Sequence, residues 1–289
     1  MNSPTFREAL LYRAEGDGGV RCLLCERKCI IHDGGGGFCG TRRNIDGRLY
    51  TMVYGDVSSV SANPIEKKPF YHFWPGSFAL TVGSWSCNFT CPWCQNWEIS
   101  KAKPDHYNPR FISVDEFVDL MGRMKCDGTS ISFNEPTLLF EYSLDLFREA
   151  SRRGYYNTFV SNGYMTVEAL RMLAEAGLDA INIDVKGDGA AVEKFCNADV
   201  KVVWRNIGLS KRLGLHVEVV TLVIPGVNSS RDILKDVADR LIAEAGPHTP
   251  IHFTRFHPSY KMTDRPSTDI KLLEEAREIA VKEGVNYAY

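Results

Sequence analysis

Three cysteines lie within eight residues, at Cys87, Cys91 and Cys94, in the stretch SWSCNFTCPWCQNW (84–97). Cysteine thiolates bind zinc and iron, and a closed structural zinc site takes four protein ligands. No further cysteine and no histidine occurs in this stretch. A [4Fe–4S] cube bound by three thiolates leaves its fourth iron open to a ligand from outside the protein. The spacing therefore predicts a [4Fe–4S] cluster whose fourth iron binds a small molecule.

A second group of cysteines precedes the first, in the turn-rich stretch RCLLCERKCIIHDGGGGFCGTRRN. Its members are Cys22, Cys25, Cys29 and Cys39. Four thiolates are sufficient for a structural zinc site that organises a segment without a core of its own, with His32 as a substitute ligand. They could equally hold a second iron–sulfur cluster that conducts electrons. We favour the structural metal and leave both alternatives open.

Composition limits the class of protein. The chain has 289 residues, 44% apolar residues, a net charge of −2 and nine cysteines, seven of them in the two groups. Clustered cysteines indicate metal binding in a reducing compartment. Neither an apolar run of 18 residues nor a signal peptide is recognisable, so we expect a cytoplasmic protein without a membrane partner. The absence of a Lys/Arg block argues against nucleic acid as a partner.

The strands and helices that position these residues can be predicted from the pattern of apolar and polar residues after residue 77. Apolar runs alternate there with amphipathic helical segments, which is typical of βα units around a parallel sheet. We predict an α/β domain over residues 77–289 and a Cys-rich lobe with a linker over residues 1–76. The predicted strands are 78–85, 128–133, 156–162, 180–186, 216–225 and 250–257. Two helix starts are marked by Ser113, with a capping box to Glu116, and by Ser230.

Polar residues follow these strands at their carboxyl ends, where parallel sheets bind ligands. Glu135 can accept a hydrogen bond from an ammonium group, and Lys186 can pair with a carboxylate. Ser161 and Asn162 can hydrogen-bond hydroxyl groups, and Trp93 can stack on a flat heterocycle. These side chains together suit a zwitterionic ligand at the open iron.

The motif Cys-x-x-x-Cys-x-aromatic-Cys after a first strand resembles the signature of the radical S-adenosylmethionine superfamily. The chain is similar to its pyruvate formate-lyase activating enzyme group through SFNEP, VSNGY, NIDVKG and VTLVIPG. It looks closest to the AmmeMemoRadiSam system radical enzymes, through the N-terminal cysteines, NPIEKKPFYHFWPGS, SFNEPTLLFEY and HFTRFHPSYK. The resemblance spans nearly the whole chain.

This resemblance implies a partial (β/α)6 TIM-like barrel in which Cys87, Cys91 and Cys94 hold the [4Fe–4S] cluster. S-adenosylmethionine binds the open iron, and an electron from the cluster splits it into methionine and a 5′-deoxyadenosyl radical that abstracts hydrogen from a substrate. Such an enzyme is an oxygen-sensitive oxidoreductase. It needs a reducing electron donor such as a ferredoxin or flavodoxin, and its substrate is a protein of the glycyl radical type, a peptide or a small molecule.

The resemblance also implies residue roles in binding S-adenosylmethionine. Asn134 and Glu135 match a segment that binds the methionyl amine, and Ser161 and Asn162 match a strand end near the ribose or carboxylate. The remaining matches are an Asp-x-Lys motif and a histidine near the ribose, at Asp184, Lys186 and His257.

Two departures from the group's pattern bear on the substrate. Phe133-Asn134 stands where glycyl radical activators carry two glycines, which weakens the case for a glycyl radical enzyme as the target. Members of the closer branch commonly run on past NYAY, so a further tail would hold substrate contacts.

The competing function is a non-catalytic iron–sulfur electron carrier or redox sensor, which accounts for the cysteines but not for the polar strand ends. Other residues receive structural interpretations. Cys126 and Cys196 are interpreted as core residues, and Glu218 and His252 as satisfied buried polar groups. Lys67 and Lys68 are interpreted as a solvated charged turn.

Overall fold

The computed structural model describes residues 3–105 and 108–289. The N-terminal lobe is built from short antiparallel strands in two small sheets, ordered β1-β6-β5 and β2-β3-β4. The strands of the lobe are β1 (Arg7–Glu8), β2 (Tyr12–Ala14), β3 (Val20–Cys22), β4 (Ile30–Ile31), β5 (Arg42–Ile45) and β6 (Arg48–Thr51).

Within the described residues, seven strands form the main sheet in the order β13-β12-β11-β10-β9-β8-β7. Its strands are β7 (Ser59–Pro64), β8 (Phe78–Gly83), β9 (Gly128–Ile131), β10 (Tyr156–Ser161), β11 (Ala180–Asp184), β12 (His216–Val223) and β13 (Ile251–Arg255). Strands β8 to β13 are parallel, and they confirm the six predicted strands. The sheet curls into a partial barrel, which confirms the predicted fold class.

Strand β7 is an edge strand that the sequence analysis did not predict. It pairs antiparallel with β8, and all of its residues are half-buried. Its sequence, SVSANP, has neither an apolar run nor a regular alternation of apolar and polar residues. The main sheet therefore takes a strand from the segment before residue 77, and the predicted domain boundary stays a prediction.

Helices connect the parallel strands and cover the outer face of the sheet. They are α1 (Trp97–Ser100), α2 (Val114–Arg123), α3 (Phe140–Arg152), α4 (Val167–Glu175), α5 (Gly189–Ala191), α6 (Val200–Arg212), α7 (Arg231–Ala245) and α8 (Ile270–Glu283). The predicted capping box is present at the start of α2, where Ser113 and Glu116 exchange hydrogen bonds. The Ser230 side chain caps α7 by accepting from the Ile233 N–H.

The segment of residues 65–77, here called the plug, closes the barrel at the amino ends of its strands. Ile65, Phe70 and Phe73 of the plug pack with Ala79, Tyr156 and Ala180, which lie at the starts of three strands. Burial of these side chains is the main source of stability for the plug. The plug therefore covers the amino ends of the strands, opposite the carboxyl ends at which ligands bind in parallel sheets.

Within the part of the chain that the structure describes, none of the helices combines the length and the apolar character that spanning a membrane requires.

Candidate functional site

A cavity of about 380 Å³ lies at the carboxyl ends of the parallel strands. The loop after β8 brings three thiols to it, and the ends of β9, β10 and β11 supply the polar wall. The predicted site residues that line it are Cys87, Cys91, Trp93, Cys94, Asn134, Glu135, Ser161, Asn162, Asp184 and Lys186. The structure thus brings the cysteine loop together with the polar residues at the strand ends, although the sequence separates them by up to about a hundred positions.

Asn134 holds the backbone that leads from β8 into the cysteine loop. Its Oδ1 accepts from the Ser84 N–H at 2.9 Å, and its Nδ2 donates to the carbonyls of Trp85 at 3.1 Å and Ser86 at 3.0 Å. In the segment predicted to bind the methionyl amine, the Asn134 side chain is therefore engaged by the protein backbone.

Phe133 adopts the left-handed conformation, with φ of +74°. The chain thus makes a turn that favours glycine without having glycine there, at a cost of about 1–2 kcal/mol. The neighbouring strand adapts to the ring, because a Cβ on Gly83 would come within 3.1 Å of Phe133 Cβ. Although Phe133 replaces the expected glycine, the chain keeps the left-handed backbone conformation at this position.

Glu135 is a buried carboxylate whose oxygens are engaged on both sides. Its Oε1 accepts from Thr137 Oγ1 at 2.5 Å and Ser161 Oγ at 2.7 Å, and its Oε2 accepts from the Asn162 N–H at 2.9 Å. Burial raises the pKa of Glu135, and these hydrogen bonds oppose the shift. The carboxylate ties the end of β9 to the end of β10.

Asn162 connects this network to the first cysteine of the loop. Its Nδ2 donates to Asn88 Oδ1 at 2.7 Å and lies 3.8 Å from Cys87 Sγ. The Phe89 N–H also donates to Cys87 Sγ, at 3.3 Å. Burial and the nearby Glu135 carboxylate raise the pKa of Cys87 to about 12. A bound metal would require this thiol as a thiolate, which the two N–H groups would stabilise.

Asp184 and Lys186 form an ion pair on the cavity wall, with 2.5 Å between Asp184 Oδ2 and Lys186 Nζ. Burial by itself would lower the pKa of Lys186, but the charge of Asp184 and the neighbouring Cys91 thiol raise it. The other carboxylate oxygen, Asp184 Oδ1, is buried and has no hydrogen-bond partner among the described residues. A buried carboxylate oxygen is strongly stabilised by a donor, so this atom marks a place for a ligand hydroxyl or ammonium group.

Cys196 lies beside the cysteine loop, although the sequence analysis gave it no role. Its Sγ is 3.4 Å from Cys91 Sγ, and this contact together with burial raises the pKa of Cys91. Trp93 is buried in the cavity wall and packs against Phe195 with 5.7 Å between ring centroids. The short π-helical turn Val192–Cys196 that carries both contacts had no signal in the sequence.

His257 is the one predicted residue of the S-adenosylmethionine site that the structure does not bring to the cavity. Its side chain is exposed, and Nδ1 lies 3.1 Å from Ser267 Oγ. The predicted role near the ribose gains no support from this position.

Lys68 lines the same cavity, and its interpretation as part of a solvated turn is wrong. Its side chain is only 6% exposed, whereas Lys67 is exposed. The charged pair Lys67-Lys68 lies between Ile65 and Phe70, two residues that the plug buries in the barrel. Those flanking apolar residues are the one signal in the sequence that pointed to burial here.

The second group of cysteines surrounds a smaller cavity in the N-terminal lobe, lined by Cys22, Cys25, Cys29 and Cys39. Burial raises the pKa of Cys22 to about 11. Burial and the adjacent Cys22 and Cys39 thiols raise the pKa of Cys25. Within residues 3–105 and 108–289, no three Cys, His, Asp or Glu side chains stand in position for a single metal ion. A zinc ion or a second cluster in the lobe therefore stays a prediction.

The residues of the main cavity fit a [4Fe–4S] cluster with a bound small molecule. Three thiols from one loop supply the donor set, and N–H donors point at Cys87 Sγ. The unpartnered Asp184 Oδ1 supplies an acceptor in the same cavity.

Comparison with known proteins identifies the class to which this fold and site belong. The model of the radical SAM superfamily matches residues 85–239, from the cysteine loop into α7. The chain belongs to this superfamily, and membership implies an enzyme that uses a [4Fe–4S] cluster and S-adenosylmethionine.

Among individual relatives, the chain is 42% identical over 283 residues to "Uncharacterized protein MJ0808" of Methanocaldococcus jannaschii, covering 98% of this chain and 84% of that protein. It is 26% identical to "Putative glycyl-radical enzyme activating enzyme MJ1227" of the same organism, over 57% of this chain and 69% of that one.

Solved structures share the fold. The structure matches that of a radical SAM methyltransferase from Sphaerobacter thermophilus with a TM-score of 0.56 at 12% identity, over 99% of this chain and 76% of that one. It matches Streptococcus suis SuiB bound to precursor peptide SuiA with a TM-score of 0.55 at 14% identity, over 78% of this chain and 50% of that one.

Proposed function

We propose that this protein cleaves S-adenosylmethionine reductively at a [4Fe–4S] cluster held by Cys87, Cys91 and Cys94. The observation that carries the proposal is that these three thiols share one cavity with the polar ends of three parallel strands, in a chain of the radical SAM superfamily. When bound, the cluster and S-adenosylmethionine supply a 5′-deoxyadenosyl radical that abstracts hydrogen from a substrate.

The chain's own residues bind and position in this proposal. Asp184 Oδ1 accepts from a hydroxyl or ammonium group of S-adenosylmethionine, because it is the buried acceptor in the cavity without a partner among the described residues. Lys186 orients the Asp184 carboxylate through their ion pair. Glu135 acts through Ser161 and Asn162, since its oxygens are already engaged by them. The Trp93 ring stacks on the adenine of S-adenosylmethionine.

Within the superfamily, we place the chain with the pyruvate formate-lyase activating enzyme group and its AmmeMemoRadiSam branch. The motifs SFNEP, VSNGY and NIDVKG support this assignment, and so does the similarity to a protein named as a glycyl-radical enzyme activating enzyme. Such an enzyme requires an external reductant, and a ferredoxin or flavodoxin fits that role. The substrate is then a glycyl radical type protein, a peptide or a small molecule.

In the N-terminal lobe we propose a metal centre, either structural zinc or a second iron–sulfur cluster. Its support is that Cys22, Cys25, Cys29 and Cys39 converge on one small cavity. Metal analysis of a Cys87→Ala/Cys91→Ala/Cys94→Ala variant distinguishes the two, since the remaining metal is then zinc or iron.

The central experiment is anaerobic reconstitution of the Cys94→Ala variant with iron and sulfide, followed by S-adenosylmethionine and dithionite. Cys94 suits this test because it is half-exposed, so its removal leaves the core intact. We expect the cluster's reduced-state EPR signal to be lost or altered, and 5′-deoxyadenosine formation, measured by mass spectrometry, to fall to background.

The matched control is Cys126→Ala, which removes a buried thiol outside both cysteine groups. This variant should retain the cluster signal and form 5′-deoxyadenosine as the wild type does. A wild-type protein that holds the cluster but releases no 5′-deoxyadenosine would instead be an electron carrier or redox sensor.

A further inference from the structure

Lys68 presents a buried ammonium group to the main cavity. Its side chain leaves the plug and reaches the ring of Phe133, with Nζ 4.8 Å from the ring centroid. The same Nζ donates to Asn63 Oδ1 on β7 at 3.0 Å. Lys68 and the three cysteines of the loop line one continuous cavity.

The plug fixes this position firmly. Asn182 on β11 donates from Nδ2 to the Pro69 carbonyl at 2.7 Å, directly after Lys68. Glu218 on β12 accepts from the N–H groups of Tyr71 at 3.0 Å and His72 at 2.8 Å. The backbone on the C-terminal side of Lys68 is therefore tied to two strands of the barrel wall.

Within the residues that the structure describes, the contacts of the Lys68 ammonium are with neutral groups, Asn63 Oδ1 and the Phe133 ring. In the part of the chain that the structure describes, no carboxylate lies within ion-pair distance of its Nζ. Lys186, the other buried ammonium on this cavity, is paired with Asp184. Burial and the nearby Lys67 lower the pKa of Lys68 to about 8, so the ammonium form still predominates at neutral pH.

A buried charge without a counter-ion destabilises the folded state unless a ligand compensates it. Lys68 lines the same cavity as the three cysteines, so a compensating ligand would bind in this cavity. We propose that Lys68 is the receptor for an anionic group, a carboxylate or a phosphate, on the substrate of this enzyme.

This inference rests on the proposed function and narrows its substrate class. Asn63 orients the ammonium by accepting one of its hydrogens, and the other two remain for the anion. A substrate whose anionic end binds Lys68 extends toward the cysteine loop, where hydrogen abstraction takes place. An unmodified backbone glycine carries no such anion, so the binding site fits an acidic small molecule or an acidic group of a peptide.

The test measures anion binding to the full-length, anaerobically reconstituted protein with S-adenosylmethionine present. Thermal-unfolding midpoints are recorded against inorganic phosphate and against succinate, with chloride at matched ionic strength. A ligand that binds only the folded state raises the midpoint in a concentration-dependent way. We expect wild type to respond to at least one of the two anions and Lys68→Met to show an apparent Kd at least tenfold higher.

Lys211→Met is the matched control, because Lys211 is an exposed lysine at the end of α6. It should respond to the anion as wild type does, and Lys68→Arg should keep most of the response. If Lys68→Met fails to fold, Lys68→Gln takes its place. A response confined to phosphate or to succinate tells which anion the site prefers.

The inference is overturned if wild type responds to neither anion, or if the neutral Lys68 variant responds as wild type does. Formation of 5′-deoxyadenosine by the wild type tests the proposed function separately. A protein that cleaves S-adenosylmethionine without binding anions contradicts only the role of Lys68. One that binds anions through Lys68 but releases no 5′-deoxyadenosine contradicts only the proposed function.

Discussion

Asn134 shows how a single side chain prepares the cavity before any ligand binds. Its amide satisfies one N–H and two carbonyl groups at the start of the cysteine loop. These backbone groups lie in the loop after β8, beyond the hydrogen bonds of the sheet. Because buried backbone groups without partners are costly, the amide fixes the path of the chain into Cys87.

Replacing Asn134 with alanine should leave these backbone groups without their partner. We expect a loss of about 2–4 kcal/mol in the free energy of unfolding, from an orphaned buried donor and two acceptors. The loosened loop should also retain less iron per chain after reconstitution. Chemical denaturation and iron analysis check both effects, with the exposed Asn286→Ala as control. Full iron retention in Asn134→Ala would contradict the role assigned to this amide.

At the scale of elements, Glu218 of β12 anchors the plug. Besides the two plug N–H groups, its oxygens contact His216 Nε2 at 2.9 Å and His252 Nε2 at 2.6 Å. Burial alone would raise the pKa of Glu218, but these hydrogen bonds outweigh it and hold the pKa at about 2, below the ordinary 4.5. The interpretation of Glu218 and His252 as satisfied buried polar groups is thereby confirmed.

The depressed pKa of Glu218 makes part of the stability depend on pH. A carboxylate with a lower pKa in the folded state stabilises the fold above about pH 4.5, and this contribution is lost as the pH falls toward 2. At one pKa unit per 1.36 kcal/mol, the shift corresponds to about 3 kcal/mol at neutral pH.

Glu218→Gln should therefore be less stable than wild type at pH 7, and the difference should shrink as the pH is lowered from about 5 to 2. Urea unfolding followed across this range measures it. The exposed Glu278→Gln on α8 should show no such convergence. A stability difference for Glu218→Gln that stays constant down to pH 3 would contradict the coupling.

At the scale of the whole molecule, the N-terminal lobe is joined to the barrel next to the cysteine loop. Arg42 of β5 and Glu141 of α3 form a buried bidentate pair at 2.9 and 2.7 Å, with 1% and 6% of the side chains exposed. Arg27 of the lobe donates to the carbonyl of Asn88 at 2.5 Å. The lobe thus contacts the residue that follows Cys87, and its stability is coupled to that of the cavity.

Breaking the Arg42–Glu141 ion pair should destabilise the contact between the N-terminal lobe and the barrel. Arg42→Met leaves a buried carboxylate unpaired, and we expect a loss of about 3–5 kcal/mol in the free energy of unfolding. The double variant Arg42→Met/Glu141→Leu removes both charges and should regain most of that loss. Chemical denaturation of the wild type, the single variant and the double variant measures the three free energies of unfolding. Equal destabilisation in the single and double variants would contradict an origin in the unpaired charge.

Much of the fold and of the cavity was predictable because the relevant signals are local. The spacing of Cys87, Cys91 and Cys94 singled out the loop whose thiols line the cavity, and the apolar runs located the six parallel strands. Polar residues after those strands then pointed to one edge of the sheet, since all parallel strands end there. Asp184 and Lys186 were identified in this way, and the structure places both on the cavity wall.

By itself, then, the sequence determined which short segments form strands and which cysteines and polar residues were candidates for the cavity, because spacing and periodicity are properties of neighbouring residues. Only the tertiary structure decided the rest. It buried Lys68 in the cavity, paired Glu218 with the plug and engaged Asn134 with the backbone of the cysteine loop. Each of these depends on segments about 50 or more positions apart, and the burial or exposure of a polar side chain is set by what packs over it.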